Sequence, residues 1–339
     1  MLEHGGGIRE AAARFGGNPS SWLDLSTGIN PNGYPAAEIP VAAWNRLPEA
    51  EDGLEEAARA YFGCTDLLPA AGSQAIIQAL PTLRARDGAV AVLSPTYAEH
   101  AHAWRRGGFD LMEIDRMTES LLERLAVLVV VNPNNPTARR LSRTTLLSWW
   151  QRLNNHGGWL IVDEAFMDAE TNESLAADTG REGLLVLRGI GKFFGLAGAR
   201  VGFLLGPRPV LASVREQLGP WNVAGPSRWL ARMALTDRSW QCRVRESLQH
   251  NAQRLTTLLK DHGLDVAART ALFQWVPHEE SAWVWEALAH QKILVRRFDA
   301  PRGLRFGLPG TEMDWLRLAT GLKRIGSIGM VTKKNESPA

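Results

Sequence analysis

The sequence predicts an α/β protein, with a mostly parallel sheet in a larger domain and a smaller α+β domain after it. Three observations lead there. Short apolar runs alternate with amphipathic stretches through the first two thirds of the chain, as βαβ units require. The chain has 339 residues, a length that suits about two domains. After Trp221 the alternation gives way to longer amphipathic stretches and a few short strands.

In chain order, residues 89–93, 125–131, 159–162, 184–187 and 201–205 read as strands. They are short and apolar on both faces, as buried parallel strands must be. Residues 97–106 and 142–155 read as helices between them, and 76–83 as an apolar helix ahead of them. In the second region, 225–235 and 239–262 read as helices, 273–276 as a strand, and 281–289 as a helix. Two short strands at 293–295 and 304–306 and a last helix at 313–325 complete it. The expected division is an amino-terminal segment (1–40) associated with the small domain and the active site, a large domain (41–220), a small domain (221–326) and a flexible polar tail (327–339).

Composition excludes several classes. With 45% hydrophobic and 22% charged residues the chain can bury a sizeable core. Its 38 basic and 36 acidic side chains nearly cancel and form no block of one sign, so nothing points to nucleic acid or an anionic membrane. The longest apolar stretch, 125–131, is far short of a membrane span. Cys64 and Cys242 lie in no CxxC pattern, which argues against a disulfide framework and fits a reducing compartment. The first residues, MLEHGGGIREAAARF, contain no apolar signal region. The expectation is a cytoplasmic protein.

Four segments carry candidate chemistry. Lys192 follows an apolar strand and sits in Gly191-Lys192-Phe193-Phe194-Gly195, where glycines allow a ligand to approach the backbone and burial can make a lysine nucleophilic. By itself the segment reads equally as a Gly-rich loop with a solvated lysine. Asp163-Glu164 ends a strand, at the edge where open α/β sheets bind ligands. The pair could face a buried cation or merely cap the strand. Asn132-Pro133-Asn134-Asn135-Pro136 is a rigid loop after another strand, with amides held in definite directions, although alone it reads as a turn. Gly72-Ser73-Gln74 opens a helix and offers free N–H groups to a phosphate, or is a plain N-cap.

The order and spacing of these segments resemble the fold-type I enzymes that use pyridoxal 5′-phosphate (PLP), within them the histidinol-phosphate aminotransferase group, whose motifs run NPNNPTG, DEAY or DEAF, then SK or GK and GLAGxRxG. The resemblance extends to about Ile325. It implies that Lys192 carries the cofactor as a Schiff base and moves protons, that Asp163 pairs with the pyridinium nitrogen, and that Asn135 bonds the ring 3′-oxygen. It also implies that Tyr97 stacks on the ring, that the backbone of Ser73 and Gln74 holds the cofactor phosphate with Arg200, and that Arg305 grips a substrate carboxylate. Homodimers with sites built from both subunits are general in that group. Phe166, Leu47, Gly189, Gly191 and Ala138 depart from its pattern. Phe166 and Leu47 stand where tyrosines are common, Gly189 and Gly191 where hydroxyl residues are, and Ala138 where a glycine is.

His4-Gly5-Gly6 and Leu23-Asp24-Leu25-Ser26-Thr27-Gly28-Ile29-Asn30-Pro31-Asn32-Gly33 resemble the amino-terminal signature of the threonine-phosphate decarboxylases of cobalamin biosynthesis. That likeness implies decarboxylation of L-threonine O-3-phosphate, with His4 and Asn30 near the substrate phosphate. Without it, His4 is equally a disordered terminus. A PLP aminotransferase of histidinol-phosphate type and a catalytically inactive protein of this fold are the alternatives. Bond choice at the substrate Cα depends on pose, so chemistry alone does not separate the first two. A nicotinamide enzyme would need GxGxxG after the first strand, which is absent in that context. His100 and His102, two apart on a helix, point to different faces and read as surface residues, so no metal is expected. A regulator of this fold would carry an added DNA-binding domain, for which the length leaves no room.

Overall fold

The computed structural model describes residues 4–36, 38–86 and 88–335, with side chains through 325. Its strands, in chain order, are β1 (Leu23–Leu25), β2 (Leu67–Ala70), β3 (Ala89–Leu93), β4 (Leu111–Ile114), β5 (Leu125–Val131), β6 (Trp159–Asp163), β7 (Leu184–Gly189), β8 (Gly202–Leu205), β9 (Ala268–Arg269), β10 (Phe273–Pro277), β11 (Ile293–Asp299) and β12 (Arg302–Gly307). Among the described residues, contacts group those between 33 and 245 in one compact unit, and 4–32 with 246–335 in another.

The 33–245 unit is built on a seven-stranded sheet of order β2-β8-β7-β6-β5-β3-β4. β3, β4, β5, β6 and β7 run parallel, whereas β8 is antiparallel to β7 and β2 antiparallel to β8. The sequence predicts a parallel strand at β8. The chain instead turns straight back after β7, because the connection through Lys192 contains only a three-residue helical turn, Ala197–Ala199, and no crossover helix. The edge strands β2 and β4 carry weak strand signals. β2 contains Pro69, which an edge strand tolerates, and β4 is half exposed. One face of the sheet buries Val90, Val92, Val127, Val129, Ile161 and Leu187 against Ile76, Ile77, Trp104, Leu211 and Val214 of the covering helices.

The other unit holds a five-stranded sheet of order β1-β11-β12-β10-β9. β1 brings the amino-terminal segment into this sheet, parallel to β11 through Leu23–Ile293 and Leu25–Val295. The remaining pairs are antiparallel. The helix Ile8–Phe15 packs its alanines near Trp22, Ala289 and Leu294.

Where the sequence texture predicts a boundary near 220, the contact division falls at 245/246, inside the helix Arg238–Lys260. The helix Gly225–Thr236 packs on the helix Leu54–Phe62, which keeps it with the seven-stranded sheet. The last helix runs Glu312–Asn335, so backbone expected to fray from 327 is helical to 335. Residues 336–339 lie outside the described residues.

Candidate active site

Parallel strands end at one edge, and the sheet order therefore assembles the candidate residues. At that edge β3 leads to Tyr97, β5 to Asn135, β6 ends in Asp163, and β7 leads to Lys192. β2, which runs the same way as β7, ends at Ala70 and delivers Gly72 and Ser73 to the same edge.

Asp163 is buried and held from two sides. His100 donates from Nε2 to its Oδ2 at 2.9 Å, and the Ala165 backbone N–H donates to its Oδ1 at 3.0 Å. A carboxylate can only accept, which sets the proton on His100 Nε2. His100 is itself 2% exposed, which overturns its reading as a surface residue, while His102 is exposed. His100 lies on the buried face of the helix Ala98–Arg106 with Ala101 and Trp104, and that spacing was the available signal.

Glu164 turns away from Asp163 to a separate buried network. It accepts from Arg188 Nη1 at 2.7 Å, from Ser174 Oγ at 2.6 Å and from Leu175 N at 2.7 Å. Arg188 also donates to Asp168 at 2.7 Å. Burial, first, raises the Glu164 carboxyl, with Arg188 opposing. The pair of acids at the strand end thus divides its labour. Asp163 meets His100, and Glu164 and Asp168 clamp the following loop to β7.

In the loop after β5, two of three asparagines hold the backbone. Asn132 exchanges hydrogen bonds with Leu141, and Asn134 donates to Pro95 O and Thr137 Oγ1. The third, Asn135, is half-buried. Tyr97 is half-buried and reaches Gln74 Oε1 at 3.4 Å. Its phenol is pushed up to about 12, by burial first and then by Glu99 and Asp163, so it stays neutral. Gln74 donates to Glu99 at 2.6 Å. Gly72 has φ +80°, and a Cβ there would meet Arg200 Nη2 at 2.6 Å. A glycine is required, and it brings the guanidinium beside the start of the helix Ser73–Ala79. Lys192 Nζ lies 5.5 Å from the Phe166 ring centroid.

Arg305, on β12, is 6% exposed and donates to Ser26 O at 2.6 Å. It pairs across the strands with Arg296 of β11. Burial, then Arg296, lowers the Arg305 guanidinium to about 10, with Asp24 opposing. Arg296 is a functional candidate that the sequence reading missed, although a second arginine on a strand next to Arg305 was there to be seen. The segment His4-Gly5-Gly6 docks on the same loop. Gly6 N donates to Ser26 Oγ at 2.7 Å, and a Cβ on Gly5 would fall 2.5 Å from Ser26 O. His4 is exposed, and Asn30 is buried with its Oδ1 accepting from Asn32 N at 2.9 Å. Among the described residues no cluster of His, Cys, Asp and Glu is placed to hold a metal.

A lysine, a buried carboxylate, an asparagine loop and a glycine-bounded helix start thus share one edge of a mixed sheet. The chain belongs to the aminotransferase class I and II family, whose sequence model matches residues 43–322. Among its relatives, the threonine-phosphate decarboxylase of Pseudomonas aeruginosa is 54% identical over 95% of this chain and 97% of its own. A threonine-phosphate decarboxylase of a Sinorhizobium species is 42% identical over 96% of this chain and 98% of its own. In structure, the histidinol-phosphate aminotransferase of Sinorhizobium meliloti, solved in complex with pyridoxal-5′-phosphate, superposes with a TM-score of 0.80 at 18% identity, covering 96% of each chain. The L-threonine-O-3-phosphate decarboxylase of Porphyromonas gingivalis gives 0.75 at 18% identity, covering 89% of this chain and 99% of that one. At these identities the two superpositions establish the shared fold.

Proposed function

We propose that the chain is a PLP enzyme that decarboxylates L-threonine O-3-phosphate to (R)-1-amino-2-propanol O-2-phosphate in cobalamin (vitamin B12) biosynthesis. The observation that carries this reading is the Arg296–Arg305 pair beside the docked His4-Gly5-Gly6 segment. Two adjacent guanidiniums suit a substrate with two anionic groups, and threonine phosphate carries a carboxylate and a phosphate. The 54% identity to the Pseudomonas enzyme over nearly the whole chain supports it.

The residues at the sheet edge suit the cofactor. A buried, doubly bonded carboxylate can hold a proton on a heteroaromatic nitrogen. The Gly72–Arg200 cradle suits a phosphate. The cofactor, when bound, supplies an electron-withdrawing ring that takes up the electron pair left on Cα. Lys192 would carry it, and would return a proton to Cα from Nζ. Asp163 would keep the ring nitrogen protonated, with His100 keeping Asp163 oriented. Asn135 would bond the ring 3′-oxygen and Tyr97 would pack against the ring. Ser73, Gln74 and Arg200 would bind the cofactor phosphate. Phe166 brings no hydroxyl to the 3′-oxygen.

Arg305 holds the substrate carboxylate while His4, Asn30 and Arg296 hold its phosphate. Anchors at both ends fix rotation at Cα and select the bond to be cleaved. An ion pair to the departing carboxylate also stabilises the ground state, so Arg305 serves orientation more than rate. The enzyme works as a homodimer. The exposed Val41, Trp44 and Leu47 offer an apolar surface for a second subunit. With Cys64 and Cys242 as free thiols, the cytoplasm is the compartment this reading assigns.

The test gives the purified enzyme phosphothreonine alone and measures CO2, then histidinol phosphate with 2-oxoglutarate and measures glutamate. CO2 in the first case supports decarboxylation. Glutamate in the second with no CO2 in the first would make it an aminotransferase.

A further inference from the structure

We propose that Arg245 is a positioning residue for Lys192, acting from behind the site through the two loops that carry Lys192 and Asp163. The inference rests on the assignment of Lys192 as the cofactor lysine. Arg245 lies on the helix Arg238–Lys260. Its guanidinium carbon sits 5.3 Å from the ring centroid of Phe193, the neighbour of Lys192. Its Nε donates to the backbone carbonyl of Asp168, in the loop after Asp163, at 2.9 Å. Its Nη2 donates to the Tyr61 hydroxyl oxygen at 3.2 Å.

Phe193 is fully buried, so its packing helps fix the backbone of the adjoining Lys192. The same helix grips the next residue as well. Trp240 stacks on Phe194 with centroids 5.5 Å apart and planes 13° apart, and meets Phe193 edge-on at 5.6 Å. Asp168 is bonded through its carboxylate to Arg188 of β7 and through its carbonyl to Arg245. Arg245 thereby ties three segments whose relative placement sets where the Lys192 amine can reach. Misplacement of a reacting group by about 1 Å can lower a rate about a hundredfold.

A cleft of about 490 Å3 lined by Tyr61, Gln241, Cys242 and Arg245 opens this position to small solutes. The experiment uses the full-length holoenzyme with phosphothreonine as substrate. Arg245→Ala and Arg245→Met should keep KM within about twofold and lower kcat by about ten- to a hundredfold. The absorbance maximum of the bound cofactor should shift in both. Guanidinium ion should restore several-fold activity to Arg245→Ala, where the space is open, and not to Arg245→Met, where the side chain fills it. Unchanged kcat and spectrum in both variants would overturn the proposal, as would a kcat loss that only tracks lowered thermal stability and resists guanidinium. If Arg245→Ala does not fold, Arg245→Met decides alone, by a kcat loss at unchanged melting temperature or by its absence. Lys192→Ala serves as the control on the underlying assignment. A borohydride-reducible cofactor linkage that persists in it defeats that assignment whatever Arg245 does.

Discussion

Individual residues show most directly how environment converts a common side chain into a reagent. His100 is an ordinary helical histidine until the fold places Asp163 2.9 Å away with both groups buried. Loss of a hydrogen bond to a charged group costs about 1.5–3 kcal/mol, or about ten- to a hundredfold when the bond orients a reacting group. His100→Phe, which keeps an aromatic ring in the buried site, is expected to lower kcat by about tenfold or more with the cofactor still bound. Steady-state kinetics on the cofactor-saturated variant check this, and an unchanged kcat would mean that the Ala165 N–H alone orients Asp163. Gly191 offers the opposite experiment. A Cβ there would meet its nearest neighbour, Ala197 Cα, at 3.4 Å, an ordinary contact. Gly191→Ser should therefore fold and add a hydroxyl where relatives often have one. Its cofactor affinity, by fluorescence titration, should rise by about threefold or more, given about 1 kcal/mol for an added hydrogen bond. A weaker affinity would show that the loop needs the glycine.

Elements hold the site through a small set of ties between distant segments. One joins the turn before the helix Leu54–Phe62 to the helix Gly225–Thr236, where Arg228 donates to both oxygens of Asp52 at 2.6 and 2.8 Å. Burial opposes ionisation of Asp52, but the Arg228 hydrogen bonds and charge outweigh it and lower its pKa. A carboxyl with a depressed folded-state pKa contributes stability above its unfolded value, near 4, and loses it as pH falls through the folded value. Asp52→Asn should cost about 2 kcal/mol at pH 7, less than for a fully buried pair because Asp52 is partly exposed. The difference from the wild type should shrink below about pH 4. Urea unfolding of both proteins at several pH values measures it, and a pH-independent difference would assign the loss to packing. The strand signals were legible in the same physical terms. Central strands were readable because both faces are apolar, whereas β2 and β4 were not, because edge strands admit a proline or polar residues.

At the scale of the whole molecule, the apolar residues that do not enter a core matter most. Val41, Trp44 and Leu47 are 70%, 65% and 64% exposed, on or just after the helix Val41–Asn45. Apolar side chains this exposed and this close in sequence are what the proposed homodimer would bury. Light scattering should report a dimer for the native chain, and Trp44→Asp should shift it toward monomer with reduced activity. A native monomer, or a variant dimer of full activity, would remove this surface from the interface.

The sequence by itself determined which chemical groups stand at the strand ends and in what order, and so which candidate residues share one edge of the sheet. This was legible because parallel strands of one sheet deliver their carboxyl ends to one edge, whatever the details of packing. Tertiary structure decided the rest. It paired His100 with Asp163 across 63 positions, ran β8 backward so that Lys192 sits in the return, set Arg296 beside Arg305, and drew the amino-terminal strand β1 into the sheet of the carboxyl-terminal region. Hydrophobic period and turn chemistry are local properties of a chain. Hydrogen-bond partners and strand direction depend on which distant segments meet, and that is settled only when the core is buried.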